Sequence, residues 1–183
     1  TLLPDSKKND APLLKSILTY TASALIEVQP AMATLFHLGN DVLNAIDDAS
    51  TVKEIEEKTN NTLTRFEQML CDSVATIAEL AYELIEPGEL IFAYSFSSTV
   101  VSCLLNARAR GRFFRVVCTE ARPSMEGRKL ASRLASGGIE VIHTFDNAMG
   151  LVLGNCSAAF MGCDCIARPG VVNKVGSWML AVA

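Results

Sequence analysis

The sequence is poor in residues that bind metal ions. It contains only two histidines, His37 and His143, and none of its six cysteines forms a Cys-x-x-Cys pair. Cys163 and Cys165, the closest two, are separated by one residue. Because structural zinc sites take four Cys or His ligands, usually from paired motifs, we expect no metal and no other cofactor. We interpret the cysteines as small, reduced residues of an intracellular protein.

Positive charge is also scarce. The chain has 16 Lys and Arg against 20 Asp and Glu, a formal net charge of −4, and a pI of about 5.2. Nucleic-acid surfaces need clustered Lys and Arg, so this balance argues against direct nucleic-acid binding. One stretch is the exception, with Arg108, Arg110, Arg112, Arg115, Arg122, Arg128, Lys129 and Arg133. It is either a solvated face of helices and turns or a site for an anionic ligand or a protein partner.

Long apolar runs are absent as well. Residues 90–107 lack charge for about the length of a membrane span, but four serines, a tyrosine and an asparagine interrupt them. We interpret this run as a strand, a turn and a helix. The first residues show no apolar stretch of a signal peptide. These absences predict a cytoplasmic protein without a membrane segment.

The first half of the sequence reads as helical. Apolar residues recur at helical spacing over 11–28, over 30–46 with a proline in the first turn, and along a third helix. Ser50 or Thr51 would cap this third helix, with Glu54 completing a capping box. The sequence Glu-Pro-Gly-Glu then stops the helix. We therefore predict a helical domain over residues 1–87.

The second half, residues 88–183, alternates strand-like and helix-like runs. The strand-like runs are 89–95, 112–118, 139–145 and 158–162. Their apolar residues are continuous rather than alternating, which indicates strands buried on both faces. Strand–helix–strand repetition predicts an α/β domain with a parallel sheet and right-handed crossovers. The apolar helical pattern at the carboxyl end further suggests that more strands follow.

Four motifs, taken in order, carry a resemblance to a known family. They are TEARPSMEG at 119–127, GIEV at 138–141, DNAMG at 146–150, and GCDCI with GVVNKVGS within 162–177. With these motifs the sequence resembles the alpha/beta/delta subunit family of translation initiation factor 2B. That family shares its fold with methylthioribose-1-phosphate isomerase and ribose-1,5-bisphosphate isomerase. The resemblance implies a helical amino-terminal domain and a Rossmann-like carboxyl domain whose sheet continues beyond this chain.

The resemblance also implies a set of candidate site residues. The isomerases carry a cysteine after the first strand, where this chain has Ser95. Their catalytic aspartate corresponds to Asp164, and their Asn-Lys pair is kept here. A glutamine common in the isomerases is replaced by Glu126, and residues 1–60 show no counterpart of their Arg-Gly-Ala phosphate loop. The candidate ligand-binding residues are Ser95, Ser97, Ser98, Arg122, Glu126, Asn173 and Lys174.

These differences weaken the case for catalysis. Moving a carbonyl along a sugar phosphate needs a positioned carboxyl group and a second polar group. Asp164 can supply the carboxyl group, but a serine hydroxyl without a base does not deprotonate as a thiol does. Glu126 would repel a phosphate. The serines that open the helix and Lys174 could still bind an anion, or they could be a helix cap and a surface residue.

Two functions follow from the resemblance. The first, which we favour, is a non-catalytic or regulatory protein that binds a phosphorylated sugar or nucleotide. The alternative is an aldose–ketose isomerase acting on a sugar 1-phosphate. The resemblance implies a homodimer or a hetero-oligomer with related subunits, and the apolar segment 175–183 is consistent with a buried contact. We expect the loop TEARPSMEGR to frame the pocket through Arg122 and Glu126, with Arg128 and Lys129 on a solvated helix face.

Overall fold

The computed structural model describes residues 10–183, which form two compact units. The first unit contains the described residues up to Cys71 together with Asp164–Val172. The second contains Asp72–Cys163 and Asn173–Ala183. The change from helices to sheet falls between Glu83 and Leu90, whereas the border between the units lies inside the third helix. The domain boundary at residue 87 stays a prediction.

The first unit is built mainly from helices. They are α1 (Ala11–Val28), α2 (Ala33–Ile46) and the first part of α3 (Val52–Glu83). The bounds predicted for α1 are confirmed, and the Asp10 side chain caps it by accepting a hydrogen bond from the Leu13 amide. The start predicted for α2 was wrong. Its proline lies in a turn closed by the Met32 amide and the Gln29 carbonyl, so the helix begins later.

The predicted capping box at the start of α3 is confirmed. The Thr51 hydroxyl accepts a hydrogen bond from the Glu54 amide at 3.2 Å, and the Glu54 carboxylate accepts one from the Thr51 amide at 3.1 Å. The Ser50 amide donates to the same carboxylate at 2.7 Å. Thr51 is therefore the capping residue, and two amides that a helix start leaves unpaired, those of Thr51 and Glu54, are satisfied.

The second unit is a parallel α/β sheet, as predicted. Its elements are β1 (Leu90–Tyr94), α4 (Ser98–Ala109), β2 (Arg115–Thr119), α5 (Glu126–Ser136), β3 (Glu140–Thr144), α6 (Met149–Leu153), β4 (Ala158–Met161) and α7 (Ser177–Val182). The strand order is β3-β2-β1-β4, and every neighbouring pair is parallel. The uncharged run at 90–107 is thus a strand, a turn and a helix. Within the part of the chain that the structure describes, no helix has the length and apolarity of a membrane span.

The two faces of the sheet bury different side chains. Ile91 and Ala93 of β1 pack with the helices α4 and α5, while Phe92 and Tyr94 pack with α6 on the other face. The prediction that all four strands are buried on both faces was wrong for β3 and β4, which are largely half-buried or exposed. Each of these two outer strands has only one neighbour among residues 10–183, so its backbone edge and side chains are less covered.

Two further differences concern short segments. The second strand begins at Arg115 rather than at residue 112, because the Phe113 carbonyl accepts a hydrogen bond from the Gly88 amide outside the sheet. In the first unit, β5 (Cys165–Ala167) and β6 (Gly170–Val172) form an antiparallel hairpin that the sequence analysis did not predict. The Arg-Pro-Gly sequence between two short apolar runs was the available signal.

Candidate functional site at the carboxyl edge of the sheet

The carboxyl ends of β1 and β2 lie side by side, and the loops that leave them are tightly constrained. Ser95, Ala121 and Met125 have positive φ angles of 59°, 56° and 58°. Left-handed backbone at a residue with a side chain costs about 1–3 kcal/mol and clusters at functional sites. This edge is also where open α/β sheets bind ligands. The backbone therefore points to the same edge as the sequence motifs.

A chain of hydrogen bonds links three of the predicted site residues. The buried Ser95 hydroxyl donates to the Glu126 carboxylate at 2.6 Å. The other Glu126 oxygen lies 2.9 Å from the Lys174 ammonium group, which also donates to the Ser124 hydroxyl at 3.1 Å. The structure thus brings Ser95, Glu126 and Lys174 together. Ser124, which the sequence analysis did not single out, completes the set.

The charge of Glu126 is fixed by these contacts. Hydrogen bonds from Ser95 and then from Lys174 hold the pKa of Glu126 below its usual value, although burial opposes them. A lowered folded-state pKa stabilises the fold above the unfolded-state pKa, and this contribution is lost as the pH falls through the folded-state value. Glu126 is therefore a carboxylate at neutral pH, and a weak base for the serine hydroxyl.

The remaining predicted ligand-binding residues have structural partners or are exposed. Ser97 caps α4 by accepting a hydrogen bond from the Val100 amide at 3.3 Å, and Ser98 is exposed. The Asn173 amide donates to the Ser177 hydroxyl at 2.9 Å, and this hydroxyl donates to the Lys174 carbonyl at 2.8 Å. The segment that presents Lys174 is thus held by the start of α7. Ligand binding by Ser97, Ser98 and Asn173 stays a prediction.

The charged loop after β2 is anchored by two carboxylates. Glu120 is 3% exposed and lies 2.8 Å from Arg122 and 3.0 Å from Arg128. Hydrogen bonds from these two guanidinium groups lower the pKa of Glu120. Asp146 accepts hydrogen bonds from the Ala121 and Arg122 amides, both at 2.8 Å. The loop carries charge because the buried Glu120 and the half-buried Asp146 hold its backbone and its arginines in place.

The prediction that Arg128 and Lys129 lie on a solvated helix face is confirmed, and the structure adds a partner for each. Both residues are exposed, but each has a specific partner. Arg128 pairs with Glu120, and the Lys129 ammonium group lies 4.1 Å from the centre of the Phe96 ring. They are therefore more than a solvated face, because Arg128 is part of the loop anchor.

A cavity of about 250 Å³ opens beside this loop. It is lined by Tyr94, Arg122, Asp146, Asn147, Met149, Gly150, Val175, Gly176, Met179 and Ala183. Gly176 has a φ of 99°, and a Cβ atom there would lie 1.9 Å from the Tyr94 hydroxyl, which donates to the Val175 carbonyl. The cavity is smaller than sites for drug-sized ligands and suits a small metabolite. Arg122 is the one predicted site residue in its lining.

Asp164 belongs to the first unit. It precedes the β5–β6 hairpin and is half-buried. Its amide donates to the Val172 carbonyl at 2.9 Å, and its carbonyl accepts from the Ala33 amide at 3.0 Å. These contacts fix its backbone and leave its catalytic assignment a prediction. Over residues 10–183 no group of three or more His, Cys, Asp or Glu side chains is placed to hold a metal ion.

Comparisons with known proteins agree with the motifs. The model of the initiation factor 2 subunit family matches residues 1–183. A translation initiation factor eIF-2B subunit 2-like protein of Pyrococcus abyssi is 31% identical over 175 residues, which are 95% of this chain and 60% of that protein. Ribose 1,5-bisphosphate isomerase of Archaeoglobus fulgidus is 24% identical over 188 residues, covering 100% of this chain and 58% of the enzyme.

A solved structure supports the same assignment. The crystal structure of the Pyrococcus horikoshii OT3 translation initiation factor eIF-2B superposes with a TM-score of 0.82 at 31% identity. The match covers 94% of this chain and 60% of that one. The chain thus spans about 60% of the length of these relatives. The family resemblance and the fold class predicted from the sequence are both confirmed.

Proposed function

Because the chain belongs to the initiation factor 2 subunit family, we propose that it is a non-catalytic, regulatory subunit of the eIF-2B type in the cytoplasm. In this proposal the carboxyl edge of its sheet binds a phosphorylated sugar or nucleotide. One observation carries the proposal. Ser95 stands where the resemblance places the isomerase cysteine, and its hydroxyl is occupied by the Glu126 carboxylate at 2.6 Å.

The chemistry of the site argues against isomerisation. Glu126 is too weak a base to take a proton from a serine hydroxyl, because Ser95 and Lys174 stabilise its carboxylate. Cys118, near the end of the neighbouring strand, does not replace the missing thiol. Burial raises its pKa to about 12, so it is not a thiolate at neutral pH.

The same contacts define how a ligand would bind. The Glu126 carboxylate lies where the phosphate of a ligand would contact Lys174 and Ser95. A phosphate that binds there must displace this carboxylate against the repulsion between the two negative charges. Arg122, with a side chain 66% exposed, adds a guanidinium group at the cavity. We therefore expect weak binding of sugar phosphates, limited by Glu126.

Substitutions at Lys174 and Glu126 should move affinity in opposite directions. Lys174→Ala removes a charged donor and should weaken binding of ribose 1,5-bisphosphate by about 1–3 kcal/mol, or about 5- to 150-fold. Glu126→Gln removes the competing charge and should strengthen binding about tenfold. Isothermal titration calorimetry on the full-length chain, after a thermal-shift screen of sugar phosphates and nucleotides, measures both effects.

The matched control is Lys53→Ala, which removes a positive charge from an exposed position of α3, where the Lys53 ammonium group lies 3.8 Å from Glu57. It should leave the affinity unchanged. Equal affinity in the wild type and Lys174→Ala would remove Lys174 from the site. Weaker binding in Glu126→Gln would show that the carboxylate contacts the ligand rather than competing with it.

We also propose that the protein assembles as a homodimer or with related subunits. In α7, Trp178 is 77% exposed and Met179 is 61% exposed, which leaves an apolar surface available for a contact. Light scattering should detect a dimer of the full-length chain at micromolar concentration, and Trp178→Ser should shift it toward monomer. A wild-type monomer under these conditions would contradict the proposal.

A further inference from the structure

The amino edge of the same sheet carries a second cavity, of about 400 Å³. Its lining includes Gly88, Arg108, Phe113, Arg115, Gly138 and Glu140, which define what we call the amino-edge groove. All of them lie in the second unit, where β2 and β3 begin. The ligand proposed above binds at the carboxyl ends of the strands, so this groove has no part in it.

Two guanidinium groups in the groove form no ion pair with a carboxylate of the described residues. Arg110 and Arg112, which neighbour the groove in sequence, pair with glutamates at 2.7 and 2.8 Å. Among residues 10–183, in contrast, the Arg108 side chain donates only to a backbone carbonyl, and the Arg115 side chain has no hydrogen bond or ion pair. Positive charge is therefore available at this edge although the chain as a whole is acidic.

One of these groups is already fixed in place. Arg108 Nε donates to the Gly138 carbonyl at 2.9 Å, and its guanidinium carbon lies 4.3 Å from the centre of the Phe113 ring. Phe113 is nevertheless 65% exposed. A stacked arginine loses little side-chain entropy on binding, and an arginine beside an exposed aromatic ring is typical of binding hot spots. The groove is thus preorganised for an anionic partner with an apolar group.

We propose that the amino-edge groove docks an acidic peptide segment of a partner protein. A carboxylate of the segment contacts Arg115 and Arg108, and an apolar side chain packs on Phe113. Guanidinium groups bind carboxylates through two parallel hydrogen bonds, which gives such a contact both strength and orientation. Most of the lining is exposed, so the groove is open to solvent and a peptide can lie across it.

Charge favours a peptide over a nucleic acid. A nucleic-acid strand gains its affinity by placing many phosphates on many cations. Here two guanidinium groups without an ion-pair partner in the described residues line the groove with Glu140, and the net charge of the chain is −4. A short peptide segment with one or two carboxylates carries the number of negative charges that two guanidinium groups can bind.

Peptide selection tests the proposal. Short random peptides displayed on phage are selected on the immobilised full-length chain, and the enriched peptides are synthesised and titrated by fluorescence anisotropy. We expect enrichment of Asp or Glu beside an apolar residue, with affinity that falls as salt rises. Arg115→Gln and Arg108→Gln should each weaken binding at least about tenfold, which corresponds to about 1.4 kcal/mol.

Arg133→Gln is the matched control, because it removes the same charge from an exposed position in the last turn of α5, outside the groove. It should bind the selected peptides as the wild type does. Arg115 is exposed, so Arg115→Gln keeps the test valid even if Arg108→Gln fails to fold. Peptides without acidic residues, or equal affinity for Arg115→Gln, would overturn the proposal. So would tighter binding of an oligouridylate RNA that Arg115→Gln abolishes.

Discussion

Gly127→Ala should destabilise the protein by about 3 kcal/mol or more, at the top of the range for overpacking a core. Gly127 is buried in the first turn of α5, where that helix meets the end of β2. A Cβ atom there would lie 1.7 Å from the Thr119 carbonyl oxygen and 2.8 Å from the Thr119 carbonyl carbon. Both atoms belong to the strand backbone, so the added methyl group cannot be accommodated by a side-chain rotation. Urea unfolding of the full-length chain measures the loss.

The same substitution should also abolish ligand binding, because α5 begins at Glu126 and would be pushed away from the strand. Gly154→Ala is the control. Gly154 has a φ of −61°, and a Cβ built on it meets no heavy atom of the described residues within 4 Å apart from its own local backbone, so the stability of the protein should change by less than about 0.5 kcal/mol. Unfolding of Gly127→Ala at the same urea concentration as the wild type would contradict the packing argument.

The sequence predicted those parts of the fold that local patterns specify. The bounds of α1 followed from apolar spacing, and the capping box at Thr51 followed from two residues three positions apart. The central strands β1 and β2 are buried on both faces, and their continuous apolar runs show it. The exposure of β3 and β4 was not predictable in this way, because it depends on which strands flank them in space.

The candidate site was also predictable only where local sequence specifies it. The motifs identified Ser95, Glu126 and Lys174, but the hydrogen-bonded chain among them joins residues 31 and 48 positions apart in sequence. Sequence reasoning treated Glu126 as a charge that repels a ligand. The structure adds that this carboxylate accepts a hydrogen bond from the Ser95 hydroxyl and forms an ion pair with the Lys174 ammonium group. The left-handed backbone at Ser95 leaves no mark in an apolar pattern either.

The buried Glu120 explains a charge that the sequence could not interpret. A charged loop after a buried strand is ambiguous, because solvated turns and ligand sites both carry charge. In the structure, Asp146 accepts a hydrogen bond from the Arg122 amide and Glu120 accepts one from its guanidinium group. Arg122, held in this way, lines the cavity. A structural anchor and a candidate ligand contact thus share one loop. Substitutions of Glu120 should therefore affect folding and ligand binding together.

The full-length chain should not isomerise ribose 1,5-bisphosphate or methylthioribose 1-phosphate efficiently. Loss of one of two cooperating acid–base groups costs about 10²–10⁴ in rate, and the Ser95 hydroxyl is hydrogen-bonded to the weakly basic Glu126. Turnover should therefore fall at least about a hundredfold below an ordinary enzymatic rate of about 1 s⁻¹. A coupled assay for the ketose product, with a related isomerase as the positive control, measures it.

Substitutions at the site distinguish two causes of low activity, the absence of the catalytic thiol and the repulsion of the substrate phosphate by Glu126. Ser95→Cys supplies the thiol that the resemblance places there, but Glu126 still repels the phosphate, so it should restore little activity alone. Ser95→Cys combined with Glu126→Gln should restore more, because the thiol then faces an uncharged neighbour and Lys174 is free for the substrate. Asp164→Asn in this double variant should abolish the gain if Asp164 is the acid–base group that the resemblance implies. Wild-type turnover of about 1 s⁻¹ or faster, abolished by Asp164→Asn, would overturn the regulatory proposal and show an isomerase that works without the thiol.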